Sequence, residues 1–232
     1  MCIKIGGAER FSLVDYPEKV AAVLFLQGCP WRCPFCYNTH LQAADREGSI
    51  DEKAFFEFLE KRRGKLDAVV FSGGEPLLQN GLYDSMQKAK KMGYCIGLHT
   101  GGFNPAALAK VLPLVDWVGF DIKAPFDELH YQKLTGSQTP LSHILQSLDM
   151  LIDSSKNFET RTTCDPRYLT VDDIYKIASQ LTERGVTNYH LQKYRPIPGD
   201  HESTETMCDS FFRDKDLLDH LKKTFKIFDI RM

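Results

Sequence analysis

The stretch that decides the fold is KVAAVLFLQGCPWRCPFC, which runs from Lys19 to Cys36. Its first half is short and continuously apolar, which is typical of a strand buried on both faces of a parallel sheet. Its second half places three cysteines within eight residues, directly after that strand. We name residues Gly28–Cys36 the cysteine loop, and we expect the strand before it to be the first of a series.

Five further segments have the character of that first strand, and segments with helical spacing separate them. The later predicted strands cover residues 66–72, 94–100, 115–122, 158–164 and 187–194, and the predicted helices cover 51–63, 81–92, 104–112, 141–152 and 171–184. Parallel strands joined by helices are connected through right-handed crossovers and close, or partly close, into a barrel. The predicted fold class is therefore α/β, a partial (β/α)6 TIM-like barrel. Residues 216–232 add a predicted helix and an edge strand.

Length and composition suit one soluble globular unit. The chain has 232 residues, of which 43% are hydrophobic and 26% are charged, so we predict one domain over residues 1–232, with a core over about 15–232 and a short lead-in over 1–14. The net charge of −2 comes without a long run of one sign, which disfavours binding to nucleic acid or to an anionic membrane. No apolar stretch approaches the roughly 20 residues that span a bilayer, and no signal peptide begins the sequence. We expect a cytoplasmic protein.

The cysteine loop has the pattern C-x3-C-x2-C, formed by Cys29, Cys33 and Cys36. Three thiolates can bind three irons of a [4Fe-4S] cluster and leave the fourth iron open to a small molecule. The alternative is a zinc site with His40 or a distant cysteine as the fourth ligand. Zinc motifs usually contain two C-x2-C pairs, and the sequence has no second pair. We therefore favour the iron–sulfur cluster.

The other cysteines and several histidines stand apart from this pattern. Seven cysteines is an odd number, and the crowding of three of them indicates metal ligation rather than disulfides. The cysteines interpreted mainly as buried thiols are Cys2, Cys95, Cys164 and Cys208. The histidines interpreted as surface residues or satisfied core residues are His40, His190 and His201.

Unusual residues recur where the predicted strands end, and active sites of α/β barrels lie at that edge. The second strand ends in SGGEP, in which Gly73 and Gly74 allow close backbone approach and the carboxylate of Glu75 can accept bonds from an ammonium group. The fourth strand ends in Asp121 and Lys123, whose alternate spacing directs both side chains to one face. For each of these motifs the structural alternative is a tight turn or a local ion pair.

Three more strand ends carry candidate residues. The third ends in HTGG, where Thr100 and flexible backbone can line a pocket, although a tight turn explains it equally well. The fifth carries Arg161, whose guanidinium suits a carboxylate ligand or a structural salt bridge. The sixth ends in YRPIPGD, residues 194–200, where two prolines make a rigid loop.

The spacing of the three cysteines, with aromatic Phe35 just before the last one, resembles the signature of the radical SAM superfamily. The resemblance implies that Cys29, Cys33 and Cys36 hold a catalytic [4Fe-4S] cluster. It also implies that S-adenosylmethionine (SAM) chelates the open iron and is cleaved to a 5'-deoxyadenosyl radical, which abstracts hydrogen from a substrate. Phe35 would then pack near the adenine, although an aromatic side chain at this position is equally consistent with plain core packing, and the 194–200 loop offers backbone groups that can meet the adenine.

Several strand-end residues match motifs of that superfamily. The GGEP segment is similar to its SAM-amino-binding motif, and D-x-K is similar to a SAM contact in activating enzymes of glycyl radical enzymes. The residues predicted to bind SAM are Phe35, Gly73, Gly74, Glu75, Thr100, Asp121, Lys123 and Arg161.

The stretch FSLVDYPEKVAAVLFLQGCPWRCPFCYN, Phe11 to Asn38, is similar more specifically to activating proteins of anaerobic ribonucleoside-triphosphate reductase. Two departures are Glu18, where glycine is common, and Tyr37, where histidine is common. The resemblance implies a glycyl radical protein as substrate, which loses a glycine hydrogen, and a low-potential electron donor such as flavodoxin or ferredoxin. A radical SAM enzyme acting on a small molecule, like 7-carboxy-7-deazaguanine synthase, is the alternative. A zinc or electron-transfer module without catalytic activity is a more distant one.

Overall fold

The structure is a computed structural model that describes residues 2–196, 200 and 205–232. The chain forms two compact units that interleave along the sequence. The first unit comprises Met1–Trp31, Asn38–Phe120 and Ser142–Phe158, and the second comprises Arg32–Tyr37, Asp121–Leu141 and Glu159–Met232. A single domain over residues 1–232 stays a prediction.

Five strands follow one another in the first part of the chain. They are β1 (Ile5–Ser12), β2 (Ala21–Leu26), β3 (Ala68–Gly73), β4 (Cys95–Thr100) and β5 (Trp117–Asp121). Strand β1 runs antiparallel to β2, and the pairs β2–β3, β3–β4 and β4–β5 are all parallel. Because β2 to β5 are parallel, their carboxyl ends share one edge of the sheet, whereas antiparallel β1 ends at the opposite edge.

The apolar runs of these strands form the core of the first unit. Five of the six side chains of β2 are buried, as expected of a strand covered on both faces. Val23 and Val70 pack in a cluster with Tyr16 and Trp117, whose ring centroids lie 5.2 Å apart. The Tyr16 ring reaches this cluster because Gly97 on β4 has no side chain to block it.

Strand β1 lies in the segment predicted to be a short lead-in, for which the sequence indicated no strand. Its sequence, IGGAERFS, lacks a clear alternation of apolar and polar residues, so the pattern did not indicate a strand. Residues 48–50 pack against its first half, where the Ile50 amide donates to the Ile5 carbonyl at 3.1 Å. Pairing with β2 therefore makes a strand of residues that have little intrinsic signal for one.

Three further strands belong to the second part of the chain, namely β6 (Asn157–Cys164), β7 (Asn188–Lys193) and β8 (Ile227–Arg231). The pairs β6–β7 and β7–β8 are parallel. The six strands predicted from the sequence are therefore confirmed, and so is the terminal strand. The α/β class with a parallel sheet is confirmed as well.

Nine helices lie in the described part of the chain. Four pack with the first unit, namely α1 (Glu52–Glu60), α2 (Leu82–Lys91), α3 (Pro105–Val111) and α5 (Leu141–Asp153). The others are α4 (Glu128–Thr135), α6 (Val171–Glu183), α7 (Glu205–Cys208), α8 (Ser210–Arg213) and α9 (Lys215–Thr224). Among the described residues, none of these helices has the length and apolar character needed to cross a membrane.

Helix boundaries follow local signals in the sequence. The Asn104 side chain accepts the Ala107 amide at 3.0 Å before α3, and Pro105 occupies the first helical position. Thr170 and Asp173 form a reciprocal capping box at the start of α6. Both starts were predicted, whereas α4 was not, because its eight residues carry only a weak apolar stripe.

Candidate active site

The cysteine loop begins in the first unit, directly after β2. Gly28 adopts a φ of +97°, and its amide donates to the Leu41 carbonyl at 2.7 Å. The Cys29 amide donates to the Gln42 carbonyl at 3.1 Å. Gln27 adds a side-chain bond of 2.8 Å to the Ala43 carbonyl. The segment after the loop thus folds back and fixes the backbone around Cys29.

The second part of the loop belongs to the second unit. The Cys36 amide donates to the Cys33 carbonyl at 3.2 Å, so these two cysteines lie on one tight turn. Cys33 and Phe35 are both buried. Burial raises the pKa of the Cys33 thiol, while the positive charge of Lys123 acts in the opposite direction. A nearby cation favours the thiolate, which is the form that binds metal.

The three cysteines have the right chemistry for a cluster. All seven cysteines lie in the described part of the chain, and no two of them form a disulfide there. Three thiols on one loop match the donor set that a three-cysteine [4Fe-4S] site requires. Among the described residues, the structure shows no group of three or more His, Cys, Asp or Glu side chains that could hold a metal ion, so the cluster stays a prediction from the motif.

The SGGEP segment packs against the start of the cysteine loop within the first unit. Gly73 has a φ of +119°, and a Cβ on Gly74 would collide with the Gly28 carbonyl oxygen. The Gly74 amide donates to the Leu26 carbonyl and the Glu75 amide to the Gly28 carbonyl, both at 2.9 Å. The two glycines are therefore needed for this close backbone contact.

The carboxylate of Glu75 is held in one orientation. Its side chain is buried, with only 1% exposed. Oε1 accepts the Thr100 hydroxyl at 2.6 Å and the Leu77 amide at 3.1 Å, and Oε2 accepts the Gly101 amide at 3.0 Å. The structure thus brings together two of the predicted features, the GGEP loop and the HTGG turn with its Thr100. These three hydrogen bonds offset the free-energy cost of burying the carboxylate.

The structure also brings together Asp121, Lys123 and Arg161, in the second unit. Arg161 donates to Asp121 Oδ1 from Nε at 3.0 Å and from Nη2 at 2.8 Å. Lys123 Nζ lies 3.6 Å from Asp121 Oδ2. The amide of Ile122, which lies between Asp121 and Lys123 in the sequence, donates to the Arg161 carbonyl at 2.8 Å. A carboxylate flanked by two cations is thereby fixed where β5 ends.

The 194–200 loop lies partly outside the described residues, which omit residues 197–199. Tyr194 stacks on Tyr37 with ring centroids 5.6 Å apart, and its hydroxyl donates to Asp200 at 2.8 Å. The Tyr37 hydroxyl accepts the Arg195 amide at 2.6 Å. Tyr37, the residue that departs from the expected histidine, therefore joins the end of the cysteine loop to the loop after β7. His201 also lies outside the described residues.

Two histidines have structural partners that the sequence did not reveal. His99 Nε2 lies 3.0 Å from the Asp15 carbonyl oxygen, so this nitrogen donates, and Nδ1 accepts the Ser72 hydroxyl at 3.2 Å. His190 is buried, and its Nε2 lies 2.7 Å from Asn188 Oδ1 and 3.5 Å from Glu159. Both histidines lie on strands, where successive side chains point to opposite faces, but their positions alone did not indicate these partners.

Comparison with known proteins decides the family. The model of the radical SAM superfamily matches residues 23–164, which is more than half of the chain and includes the cysteine loop. The chain belongs to the radical SAM superfamily. Membership of this superfamily implies a [4Fe-4S] cluster and SAM as cofactors, and it agrees with the α/β fold described above.

Two relatives of this radical SAM protein carry informative names. One, from Methanocaldococcus jannaschii, is provisionally named a glycyl-radical enzyme activating enzyme; it is 31% identical over 83% of this chain and 80% of its own length. A pyruvate formate-lyase-activating enzyme of Clostridium pasteurianum is 33% identical over 57% of each chain. A solved structure of TYW1 with a bound lysine-pyruvate adduct superposes with a TM-score of 0.65 over 88% of this chain and 74% of that one, at 17% identity. This last likeness shows the fold alone.

Proposed function

We propose that this radical SAM protein is an activating enzyme that removes a hydrogen atom from a glycine of a partner enzyme. The observation that carries the proposal is the relative that is 31% identical over 80% of its length and is named for this activity. The D-x-K motif at Asp121 and Lys123 supports it, because it resembles the SAM contact of such enzymes. The second named relative supports the same class.

In the proposed site, Cys29, Cys33 and Cys36 hold the [4Fe-4S] cluster. When bound, the cluster supplies the electron that cleaves SAM and so produces the hydrogen-abstracting radical. The chain's own contribution is to hold the thiol donors on one loop. Burial raises the pKa of the Cys33 thiol, and the positive charge of Lys123 partly opposes that rise. Burial of Cys33 and Phe35 also keeps water from that part of the loop.

The SAM-binding residues are proposed from the motifs and from the contacts of each group. Gly73 and Gly74 bring the backbone of this segment close to Leu26 and Gly28 beside the cysteine loop, and Glu75 is proposed to bind the SAM amino group through its carboxylate. Thr100 fixes that carboxylate. In the second unit, Asp121, Lys123 and Arg161 offer a charged triad to the polar parts of SAM. Phe35 would pack near the adenine.

The proposed partner is a glycyl radical protein, specifically anaerobic ribonucleoside-triphosphate reductase. Support for this choice comes from the Phe11 to Asn38 stretch, which resembles the activating proteins of that reductase. The electron donor is proposed to be a low-potential flavodoxin or ferredoxin. Its role is to reduce the cluster before each SAM cleavage.

The test uses anaerobically reconstituted protein. We expect about four irons per chain, 5'-deoxyadenosine on addition of SAM and reductant, and a glycyl EPR doublet when the reductase is added. Cys33→Ser should lose the cluster, whereas Cys2→Ser, which changes an exposed cysteine outside the motif, should keep it. Formation of deoxyadenosine without the doublet would contradict the proposed partner. A zinc-containing, iron-free protein would contradict the reaction class.

A further inference from the structure

Helix α4 touches two separate parts of the predicted site within the second unit. The Tyr131 hydroxyl accepts the backbone amide of Lys123 at 3.3 Å. One turn later, the Thr135 carbonyl accepts the backbone amide of Arg32 at 2.7 Å. Tyr131 and Thr135 are both buried, with 2% exposed. One short helix therefore holds the D-x-K segment and the second part of the cysteine loop by hydrogen bonds.

Gly136, the residue that ends α4, allows Arg32 of the cysteine loop to lie close to the helix end. Gly136 has a φ of +59°, a left-handed conformation that other residues adopt only under strain. A Cβ at Gly136 would lie 3.2 Å from the Cβ of Arg32, which is tighter than most Cβ contacts in proteins and would displace one of the two groups slightly. Glycine thus avoids strain in the turn and lets the cysteine loop pack closely against the end of the helix.

The helix itself is anchored at its first turn, so it can act as a fixed support. The Asp127 side chain accepts the His130 amide at 2.7 Å. Glu128 accepts the Leu141 amide at 3.1 Å, and the Phe126 amide donates to Gln180 at 2.8 Å. Burial also raises the pKa of Tyr131, so its phenol stays neutral and available as a hydrogen-bonding group.

We propose that α4 is a clamp that sets the position of Arg32–Cys36 relative to Asp121–Lys123, with Tyr131 and Gly136 as its positioning residues. Neither residue belongs to the motifs that resemble the superfamily. The proposal rests on the proposed function, because it assigns α4 to the cluster and SAM site. Tyr131 sets the backbone from which the Lys123 side chain extends, and Gly136 sets the backbone that leads into Cys33.

The first test compares two buried tyrosines of the second unit. Tyr131→Phe removes the acceptor of the Lys123 amide, and we expect SAM to bind up to about tenfold more weakly, because the lost bond lies within the protein and affects SAM only through the position of Lys123. The change in the EPR spectrum of the reduced cluster on adding SAM should shrink, while iron content stays constant. Tyr189→Phe is the control, since Tyr189 is fully buried and its hydroxyl donates to Thr162 at 2.9 Å. Equal SAM affinities for the two variants would overturn the role of Tyr131.

The second test compares two glycines with left-handed backbones. Gly136→Ala introduces both strain and a contact with Arg32, whereas Gly185→Ala introduces strain alone, because Gly185 has a φ of +84° and no atom within 4 Å of an added Cβ. We expect Gly136→Ala to retain less than half of the iron that Gly185→Ala retains after identical reconstitution. Equal iron contents would overturn the role of Gly136.

Amide hydrogen exchange gives a readout that does not need cofactors or a partner. Exchange at Lys123 should accelerate in Tyr131→Phe but not in Tyr189→Phe, and exchange at Arg32 should accelerate in Gly136→Ala but not in Gly185→Ala. Unchanged rates would contradict the clamp. If the wild-type protein binds iron and cleaves SAM but makes no glycyl radical, the activase proposal fails while the clamp stands on its own measurements.

Discussion

Replacement of Glu75 by glutamine tests whether this buried carboxylate is held as the structure indicates. The amide group of glutamine places a donor where one carboxylate oxygen accepts, so at least one of the bonds from Thr100, Leu77 and Gly101 is lost. Hydrogen bonds to a charged group contribute about 1.5–3 kcal/mol each. We therefore expect Glu75→Gln to lower the free energy of unfolding by about 2 kcal/mol and the Tm by about 4–8 °C.

The assay is urea unfolding of the cofactor-free protein, with SAM binding measured separately after reconstitution. Glu57→Gln provides the matched control, because Glu57 makes only a 4.0 Å contact with Lys53 and its side chain is 60% exposed. That control should change the free energy of unfolding by less than about 0.5 kcal/mol. SAM binding should weaken by about tenfold in Glu75→Gln alone, as expected for one lost charge-assisted bond. Equal stabilities of the two variants would refute the bonding assigned to Glu75.

Two further predictions concern the second unit. Asp121→Asn removes the charge that faces the buried Arg161, and we expect the free energy of unfolding, measured in urea, to fall by about 2 kcal/mol. The effect is smaller than for a fully buried ion pair because the Asp121 side chain is 33% exposed. An unchanged unfolding midpoint would contradict this. Burial lowers the pKa of His190. Below about pH 6.5 the unfolded chain therefore binds a proton that the folded chain does not, and stability falls as the pH falls. His190→Gln should reduce this slope between about pH 6.5 and pH 5, and the same slope in both proteins would contradict the assignment.

Features encoded by neighbouring residues could be predicted well. The run before the cysteine loop predicted β2, and Asn104 and Thr170 predicted the starts of α3 and α6. These signals are local, since burial on two faces and helix capping depend on residues within a few positions of one another. The three-cysteine spacing is also local, and it predicted the radical SAM superfamily, to which the chain belongs.

Elements stabilised by distant partners could not be predicted. Strand β1 depends on pairing with β2, and α4 depends on burial of Tyr131 and Thr135 rather than on a strong apolar stripe. The residues next to β1 and α4 in the sequence do not indicate the β1–β2 pairing or the burial of α4. The short length of α4 also makes it marginal without tertiary packing.

The sequence by itself determined which chemical groups this protein has, the three thiols of Cys29, Cys33 and Cys36 and the carboxylates of Glu75 and Asp121. Only the tertiary structure decided what those groups contact. It paired Asp121 with Arg161, forty residues away, and surrounded Glu75 with donors from the end of β4. The physical reason is that a hydrogen bond or an ion pair depends on distance in space, and sequence spacing constrains that distance only over a turn or a strand.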